Sequence, residues 1–188
     1  MKNQMKYGAL FIALGLLASQ NSVAQEVEFG IKLGSSYNMP SYSNKGVSNS
    51  KSEFGAEVGV FARTADRLYL QPELNFGVMS SSYTFEGKEY NPTSYQLSLP
   101  VLAGYKLYDS EKLGLRAALG PQLNYQLKKN KATATDSYKT FSYDAKAGIG
   151  VDLSSFTIDM TYNHGLNKTS KELGARNRSL GLSVGYKF

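Results

Sequence analysis

The stretch that decides the fold is Ser179-Leu180-Gly181-Leu182-Ser183-Val184-Gly185-Tyr186-Lys187-Phe188. In an extended chain, successive side chains point to opposite faces. One face of this stretch then carries only aliphatic and aromatic residues, and the other carries serine, glycine and lysine. A strand that lies between lipid and a packed polar interior has this pattern. The aromatic residue that ends the stretch favours the lipid environment over a soluble sheet.

The same alternation recurs along the chain and predicts eight strands. The connections between them are long and short in turn, and the first and last are both long. An even-stranded barrel with both ends of the chain on one side has this arrangement. We therefore predict an all-β fold, an eight-stranded antiparallel up-and-down transmembrane β-barrel. The predicted strands cover about 27–37, 54–63, 68–79, 95–106, 113–124, 141–152, 156–163 and 179–188.

Aromatic side chains collect at both ends of the predicted strands. Rings with an apolar body and a polar edge are typical of the two interfaces of an outer-membrane barrel. A soluble sandwich has no reason to sort them in this way. The set at the end with short turns is Phe29, Tyr105, Phe156, Tyr186 and Phe188. The set at the other end is Tyr37, Phe54, Phe76, Tyr95, Tyr125, Phe141, Tyr143 and Tyr162.

Three prolines oppose this simple pattern. Pro72, Pro100 and Pro121 fall inside three of the predicted strands. Proline has no N–H to donate to a strand ladder, and a closed barrel has no free edge on which to place it. The sequence therefore predicts either bulges at these residues or a one-residue change of register beside them.

The first residues predict a secretory signal peptide. Lys2 and Lys6 precede an apolar run at 7–18, which is shorter than the roughly 20 residues that a membrane-spanning helix needs. Small residues at Ser22 and Ala24 then mark a cleavage site. We expect residues 1–24 to be removed and residues 25–188 to form one outer-membrane barrel domain, with both mature termini in the periplasm.

Composition excludes several classes of protein. The chain has no cysteine, which excludes a disulfide-stapled module and thiolate chemistry. The net charge of +6 falls by two when the lysines of the signal peptide are removed, and an exported chain is not expected to bind nucleic acid. One histidine, His164, leaves only carboxylates for a metal site. We predict no cofactor and no metal.

His164 also bears on catalysis. A hydrolase needs a nucleophile that is oriented by a base, which a third group holds in turn. Gly165 and Leu166 follow His164, and no serine stands two residues on. We therefore expect the protein not to be an enzyme.

Charged residues occur on the inward faces of most predicted strands. The interior of an eight-stranded barrel is just wide enough for side chains to fill it, and charges removed from water must be paired. We predict a network in the lumen that pairs acidic with basic side chains and closes the interior. A narrow lumen that conducts ions or holds a ligand is the alternative. The predicted network consists of Glu57, Glu73, Arg116, Asp144, Lys146 and Asp159.

Five segments resemble those of a known family. They are FGAEVGVF at 54–61, LYLQPEL at 68–74, LSLPVL at 97–102, ALGP at 118–121 and GYKF at 185–188. In these segments the chain resembles the PorT-like outer-membrane β-barrel family of Gram-negative envelopes. The resemblance implies the fold and the location, and it implies no shared activity. It also implies that the terminal aromatic residue, Phe188, is the signal recognised by the barrel-assembly machinery.

Three of the four long loops are basic, which predicts contact with anionic lipid head groups or surface glycans. We predict a monomeric, non-enzymatic protein of the cell envelope that lies among outer-membrane lipids, with a structural, adhesive or ligand-contacting role. Two alternatives remain open: a narrow channel, and an exported soluble barrel of lipocalin type whose aliphatic faces point inward. The basic loop residues are Lys45, Lys51, Lys128, Lys129, Lys131, Lys139, Lys168, Lys171, Arg176 and Arg178.

Overall fold

The computed structural model describes residues 26–39, 47–51, 53–80, 82–85, 88–90, 93–110, 112–128, 140–167 and 176–188. The predicted signal peptide, 1–24, lies outside these residues, and so do parts of the long loops. Within the described ranges, no helix is long and apolar enough to span a membrane.

The described residues form eleven strands in two sheets. Eight of the strands close into an antiparallel barrel in the order β1-β11-β10-β9-β8-β7-β4-β3, which confirms the predicted fold. In chain order the strands are β1 (Val27–Asn38), β2 (Val47–Lys51), β3 (Glu53–Thr64), β4 (Leu68–Ser80), β5 (Ser82–Phe85), β6 (Lys88–Tyr90), β7 (Thr93–Asp109), β8 (Gly114–Lys128), β9 (Phe141–Leu153), β10 (Phe156–Gly165) and β11 (Arg178–Lys187).

The barrel has two distinct ends. Short turns at 65–67, 110–113 and 154–155 lie at one end, together with the start of β1 and the end of β11; we call this the short-turn end. The connections at the opposite end are all longer, and we call this the long-loop end. The tightest turn contains Ser154, whose φ of 55° lies in the left-handed region that a two-residue hairpin requires.

Three short strands form a second sheet, separate from the barrel. It has the order β2-β5-β6, with Val47 opposite Phe85 and Tyr83 opposite Tyr90. This corrects the interpretation of the first long connection as a loop throughout, because β2 lies inside it. It also explains why the alternation slips after Ser80: the residues that follow belong to a different sheet.

The facing of the barrel strands is the one predicted from the alternation. Leu180, Leu182 and Val184 expose 44%, 56% and 52% of their surface on the outside of the barrel. Ser179 and Ser183, between and beside them, are buried inside. A soluble lipocalin-type barrel would place the aliphatic residues in the interior, so that alternative is wrong.

Exposed aromatic rings form a belt at each end of the barrel, as predicted. Ring pairs at the long-loop end join neighbouring strands, as in Tyr37–Phe54 with centroids 5.1 Å apart and Tyr125–Phe141 with centroids 5.0 Å apart. At the short-turn end, Tyr186 packs edge-on against the ring of its neighbour in β10 at 5.4 Å. Such pairs add stabilisation beyond the area that they cover.

The three prolines leave the register unchanged, which corrects the expectation of bulges beside them. Pro72 lies opposite Val101, and Pro121 lies opposite Ala145, in ladders that run with one register on both sides of each proline. Pro100 is buried in the wall opposite Gln122. The irregularities of β7 lie instead near its ends, between residues 95 and 96 and between residues 106 and 108.

Candidate functional site

Lysine and glutamate side chains meet in the middle of the lumen. Lys32 Nζ lies 2.5 Å and Lys146 Nζ lies 3.2 Å from the same oxygen of Glu73, Oε2. Gln71 Nε2 donates to the other oxygen at 2.7 Å, and Asn75 Nδ2 donates to Oε2 at 3.0 Å. All five residues are buried. We call Lys32, Glu73 and Lys146 the lysine cluster.

A second cluster fills the lumen nearer the short-turn end. Asp152 accepts from Arg63 Nη1 at 2.9 Å and from Arg116 Nε at 3.2 Å. Arg116 also reaches Asp159 Oδ1 through Nη2 at 2.5 Å and the hydroxyl of Thr157. We call Arg63, Arg116, Asp152 and Asp159 the arginine cluster. Its two cations and two anions balance, as buried charges require.

The ion pairs span the width of the barrel. Arg63 is on β3 and Asp152 is on β9, and these strands are four places apart in either direction around the ring of eight. Glu73 on β4 and Lys146 on β9 are three places apart. The side chains therefore cross the lumen at two levels, which leaves its middle and its short-turn half filled with paired charges.

Aromatic side chains hold Arg63 in place. Its guanidinium carbon lies 5.3 Å from the ring centre of Phe61 and 5.4 Å from that of Tyr69, a distance at which a cation is attracted to a ring face. Arg63 Nε also donates to Gln71 Oε1 at 2.6 Å. The ring of Tyr69 lies directly over Gly104, in the space that a Cβ would occupy. The glycine thus makes room for the ring that supports the arginine.

The six residues of the predicted network are divided among several environments. Glu73 and Lys146 meet in the lysine cluster, and Arg116 and Asp159 meet in the arginine cluster. Glu57 faces the lumen without an ion pair to any described residue, although its charge acts on both lysines of the lysine cluster.

Asp144 is in neither cluster and contacts no cation among the described residues. Its Oδ2 accepts from Asn124 Nδ2 at 2.7 Å and from Asn177 Nδ2 at 3.0 Å. The prediction that Asp144 pairs with a cation is therefore wrong. It lies too near the long-loop end to reach the arginines, and the lysine nearest to it on its own strand is bound to Glu73.

Lys32, Arg63 and Asp152 complete the clusters, and sequence reasoning did not include them in the network. Their alternation shows that they face inward, so the signal for their environment was present. Which inward residues meet across the lumen depends on the tilt and stagger of the strands, which alternation does not give.

Phe188 and His164 lie on the outside of the barrel. The Phe188 ring is 74% exposed, and its backbone N–H donates to the Phe29 carbonyl at 3.0 Å, next to the seam between β1 and β11. His164 is half-buried near the long-loop end, with Nδ1 3.4 Å from the Tyr162 hydroxyl. Within the part of the chain that the structure describes, no three His, Cys, Asp or Glu side chains are grouped to hold a metal ion.

The sequence matches a known family model over most of its length. Residues 18–171 match the model described as outer membrane protein beta-barrel domain. No curated protein is similar enough in sequence to count as a match. The family model is broader than the PorT-like family, so the finer resemblance stays a prediction.

Several solved barrels have a similar fold. The outer membrane enzyme PagL superposes with a TM-score of 0.55 at 8% identity, covering 82% of this chain and 98% of that chain. Neisserial surface protein A superposes with a TM-score of 0.53 at 16% identity, covering 87% of this chain and 99% of that chain. Ail, the attachment invasion locus protein of Yersinia pestis, solved in complex with the heparin analogue sucrose octasulfate, gives 0.50 at 14% identity, covering 87% and 99%.

The comparison with PagL contradicts the prediction that the protein is not an enzyme. PagL is an outer membrane enzyme and has the same type of barrel. The sequence neighbours of His164 do not exclude catalysis, because a catalytic group can be assembled from residues that are distant in sequence. At 8% identity the likeness shows the fold alone, so no activity is transferred from PagL to this chain.

Proposed function

The chain belongs to the outer membrane protein β-barrel domain family, and from this premise we propose that it is a closed barrel that acts at the cell surface, through its long-loop end. The ion pair between Arg63 and Asp152 carries the proposal. Its two side chains reach across the lumen from opposite strands, and their charged atoms, Arg63 Nη1 and Asp152 Oδ2, lie 2.9 Å apart. The lysine cluster crosses the lumen at a second level. A lumen filled in this way favours contact at the surface over passage through the interior.

The proposal includes an orientation in the membrane. The short turns and the outer ends of β1 and β11 lie together, and in outer-membrane barrels the short turns are periplasmic. The long-loop end then faces the outside of the cell, and residues 1–24 are the signal peptide that directs export. Phe188, exposed at the short-turn end, is in a position for the barrel-assembly machinery to recognise it.

We propose that the surface contact is with a molecule carrying several anionic groups. Arg176 and Arg178 are exposed at the long-loop end. Lys168 and Lys171 belong to the same connection, and Lys45, Lys129, Lys131 and Lys139 belong to two other long connections; these six lysines lie outside the described residues. Arginine binds phosphate and sulfate with charge-assisted hydrogen bonds. The similarity of the fold to Ail, solved with a sulfated sugar, supports this chemistry. The anion can belong to a lipid head group or to a surface glycan.

Planar bilayer recordings test the closed lumen. The purified barrel is expected to give no resolved single-channel steps. Arg63→Ala with Asp152→Ala is expected to give none either, because the lysine cluster still crosses the lumen at a second level and Arg116 keeps Asp159 as its partner. Steady conductance from the unaltered protein would contradict the closed barrel and favour the channel.

Binding measurements test the anionic partner and distinguish its two sources. The barrel in neutral nanodiscs is titrated with sucrose octasulfate, and separately the barrel is assayed for enrichment of anionic lipid in mixed-lipid nanodiscs. Arg176→Gln with Arg178→Gln is expected to weaken the preferred interaction. The matched control is Arg67→Gln, an exposed arginine at the short-turn end that stacks 5.2 Å from the Tyr105 ring. Equal loss in the control, or no binding in either assay, would contradict the proposal.

A further inference from the structure

Two basic side chains lie next to each other on the outer wall of the barrel, at the long-loop end. Arg178 is the first residue of β11 and is exposed on the same outward face as Leu180 and Leu182. Its register partner on β10 is His164, which also lies on the outside. Side chains directly opposite each other on antiparallel strands have Cβ atoms about 5 Å apart. Arg178 and His164 are therefore close enough to contact one ligand together.

The residues next along the strands place this basic pair at the level of the lipid head groups. Leu180 is the next outward residue of β11, and its register partners are Tyr37 on β1 and Tyr162 on β10. Exposed tyrosines of this kind mark the interface between hydrocarbon and head groups. Two residues of a strand rise about 6.8 Å, so Arg178 lies just beyond the tyrosines. It faces the head groups from the side of the barrel.

The basic groups are available to a ligand. Arg176 is exposed as well, and neither Arg176 nor Arg178 has an ion-pair partner among the described residues. Nδ1 of His164 lies 3.4 Å from the Tyr162 hydroxyl, which leaves Nε2 as the ring nitrogen that can bond a ligand. A guanidinium group binds phosphate through two parallel hydrogen bonds. The chemistry of this surface therefore favours a phosphorylated head group.

An apolar groove on the outer wall begins directly beside the basic pair. It has a volume of about 740 Å³, with Leu180 and Tyr162 at the end near the arginines and Leu68 and Tyr105 at the end near the short turns. It crosses six strands, from β11 to β4. Because neighbouring strands are about 4.8 Å apart, the groove is about 24 Å long. The strands are tilted in the membrane, so a path across them descends from one end of the barrel to the other.

Small side chains form the floor of this groove. Ala147 lies between Tyr162 on β10 and Leu119 on β8, and Ala117 lies opposite Ile149. The larger neighbours stand on either side of the alanines as walls. Half of the hydrocarbon core is about 15 Å thick, which equals about three strand spacings. The half of the groove nearest Arg178 is therefore long enough for an acyl chain of a lipid in the same leaflet.

A second groove on another part of the wall shows what distinguishes the first. It has a volume of about 770 Å³ and is lined by apolar residues of β1, β3, β4 and β7, among them Ala62 and Leu74. The long-loop ends of these four strands have no lysine or arginine within the described residues. The two grooves are similar in size and lining, and they differ in the charge beside them.

We propose that Arg178, His164 and the adjoining groove bind one phosphorylated lipid that carries several acyl chains. The Arg178 guanidinium and His164 Nε2 donate to oxygens of a phosphate, and Arg176 adds a second positive charge. One acyl chain of the same lipid lies in the groove over Ala147. This inference rests on the anionic partner proposed above and deepens it, because it assigns the anion to a membrane lipid and excludes a free glycan.

Native mass spectrometry of the purified barrel in neutral detergent micelles tests the choice of ligand. The probes are lipid A with two phosphates, the same lipid without phosphates, and sucrose octasulfate, which has no acyl chain. We expect one phosphorylated lipid A to remain on each barrel, bound about tenfold more tightly than the lipid without phosphates. Equal retention of the two lipids would overturn the inference.

The sulfated probe separates this inference from the proposed function. Binding of sucrose octasulfate without binding of phosphorylated lipid A would overturn the lipid assignment and leave the anionic partner intact. Absence of binding by both would overturn the two together. Retention of phosphorylated lipid A supports both.

Matched alanine substitutions locate the acyl chain. Ala147→Leu fills the floor of the groove beside the arginines and is expected to weaken lipid A binding about tenfold, with the affinity for sucrose octasulfate unchanged. Ala62→Leu makes the same change in the second groove and is expected to bind lipid A as the unaltered protein does. Loss of equal size in the two variants, or no loss in Ala147→Leu, would overturn the groove assignment.

A head-group variant and a folding check complete the test. Arg178→Gln is expected to weaken the binding of lipid A and of sucrose octasulfate alike, about tenfold each. A heat-modifiability gel checks that each variant is folded. If Ala147→Leu does not fold, Ala117→Leu in the same groove takes its place with the same expected loss. Unchanged lipid A binding in folded Arg178→Gln would overturn the head-group assignment.

Discussion

Arg63 and Asp152 lie on strands at opposite sides of the barrel, and their side chains meet in the lumen, where Arg63 Nη1 lies 2.9 Å from Asp152 Oδ2. The same carboxylate accepts a hydrogen bond from Arg116 at 3.2 Å. Asp152 is therefore the anion that both buried guanidinium groups share, and Arg116 has Asp159 as a second partner.

Removal of the anion alone is expected to destabilise the barrel strongly. Asp152→Asn leaves Arg63 and Arg116 without their shared partner, and breaking a buried pair from one side costs roughly 3–5 kcal/mol. Urea unfolding of the barrel in detergent measures the change. The control is Asp109→Asn, which breaks the exposed pair with Lys106 and is expected to cost less than about 1 kcal/mol. Similar losses in both variants would contradict the role given to Asp152.

A methyl group at Gly104 is expected to disturb the support of Arg63. A Cβ there would overlap the ring of Tyr69, and overpacking of a filled interior costs about 1–3 kcal/mol. Gly77→Ala is the matched control, because the nearest atom to a Cβ there is 3.6 Å away, an ordinary contact distance. Thermal unfolding followed on gels measures both. A Gly104→Ala barrel as stable as the Gly77→Ala barrel would show that Tyr69 is not held in this position.

Substitution by arginine is expected to lower the free energy of unfolding by different amounts on the two faces of β11. Leu182 faces outward, so Leu182→Arg places a charge in hydrocarbon and should cost about 2–4 kcal/mol near mid-bilayer. Ser183 faces the lumen, with its Cβ in the space beside Gly34, and Ser183→Arg should cost more because the filled interior has no room for it. Unfolding in lipid vesicles measures both, with Leu182→Val as the control. Equal effects of the two arginines would contradict the assigned facing.

Substitution of Phe188 is expected to affect assembly more than stability. Its ring is 74% exposed, and surface changes of this kind usually alter the free energy of unfolding by no more than about 0.5 kcal/mol. Phe188→Ala should therefore refold in detergent like the unaltered protein, and the amount of assembled barrel recovered from cell envelopes should fall severalfold. A variant that reaches the outer membrane in normal amounts would remove the assembly role from this residue.

The facing of the strands could be predicted from the sequence because side chains alternate with a period of two. Leu182 and Ser183 needed no more than that to be placed on opposite faces, and the aromatic belts followed from the same parity. The period also placed the charges of Glu73 and Arg116 inside. Each of these predictions concerns one strand and its two faces.

The partners of the charged residues could not be predicted in the same way. The pairing of Arg63 with Asp152 depends on the curvature and stagger of all eight strands, and parity along one strand contains neither. Asp144 was assigned a cation for the same reason, although its level in the barrel places amides around it. At the prolines, a local expectation failed for the opposite reason. Pro72 weakens one ladder locally, but the alternation of apolar and polar residues on both sides of it fixes the register.

The seam between β1 and β11 joins the two barrel strands that are farthest apart in sequence, with Gly30 opposite Lys187 at one end and Asn38 opposite Ser179 at the other. All other barrel pairs join strands that follow one another along the chain, so each of them can form locally. The barrel can therefore close only after β11 has formed. Until then β1 and β11 are edge strands whose backbone N–H and C=O groups are unpaired and can bind another strand. Pairing of β1 with β11 is the folding step with the largest loop-closure entropy cost. It is therefore the step at which an assembly factor can contribute most.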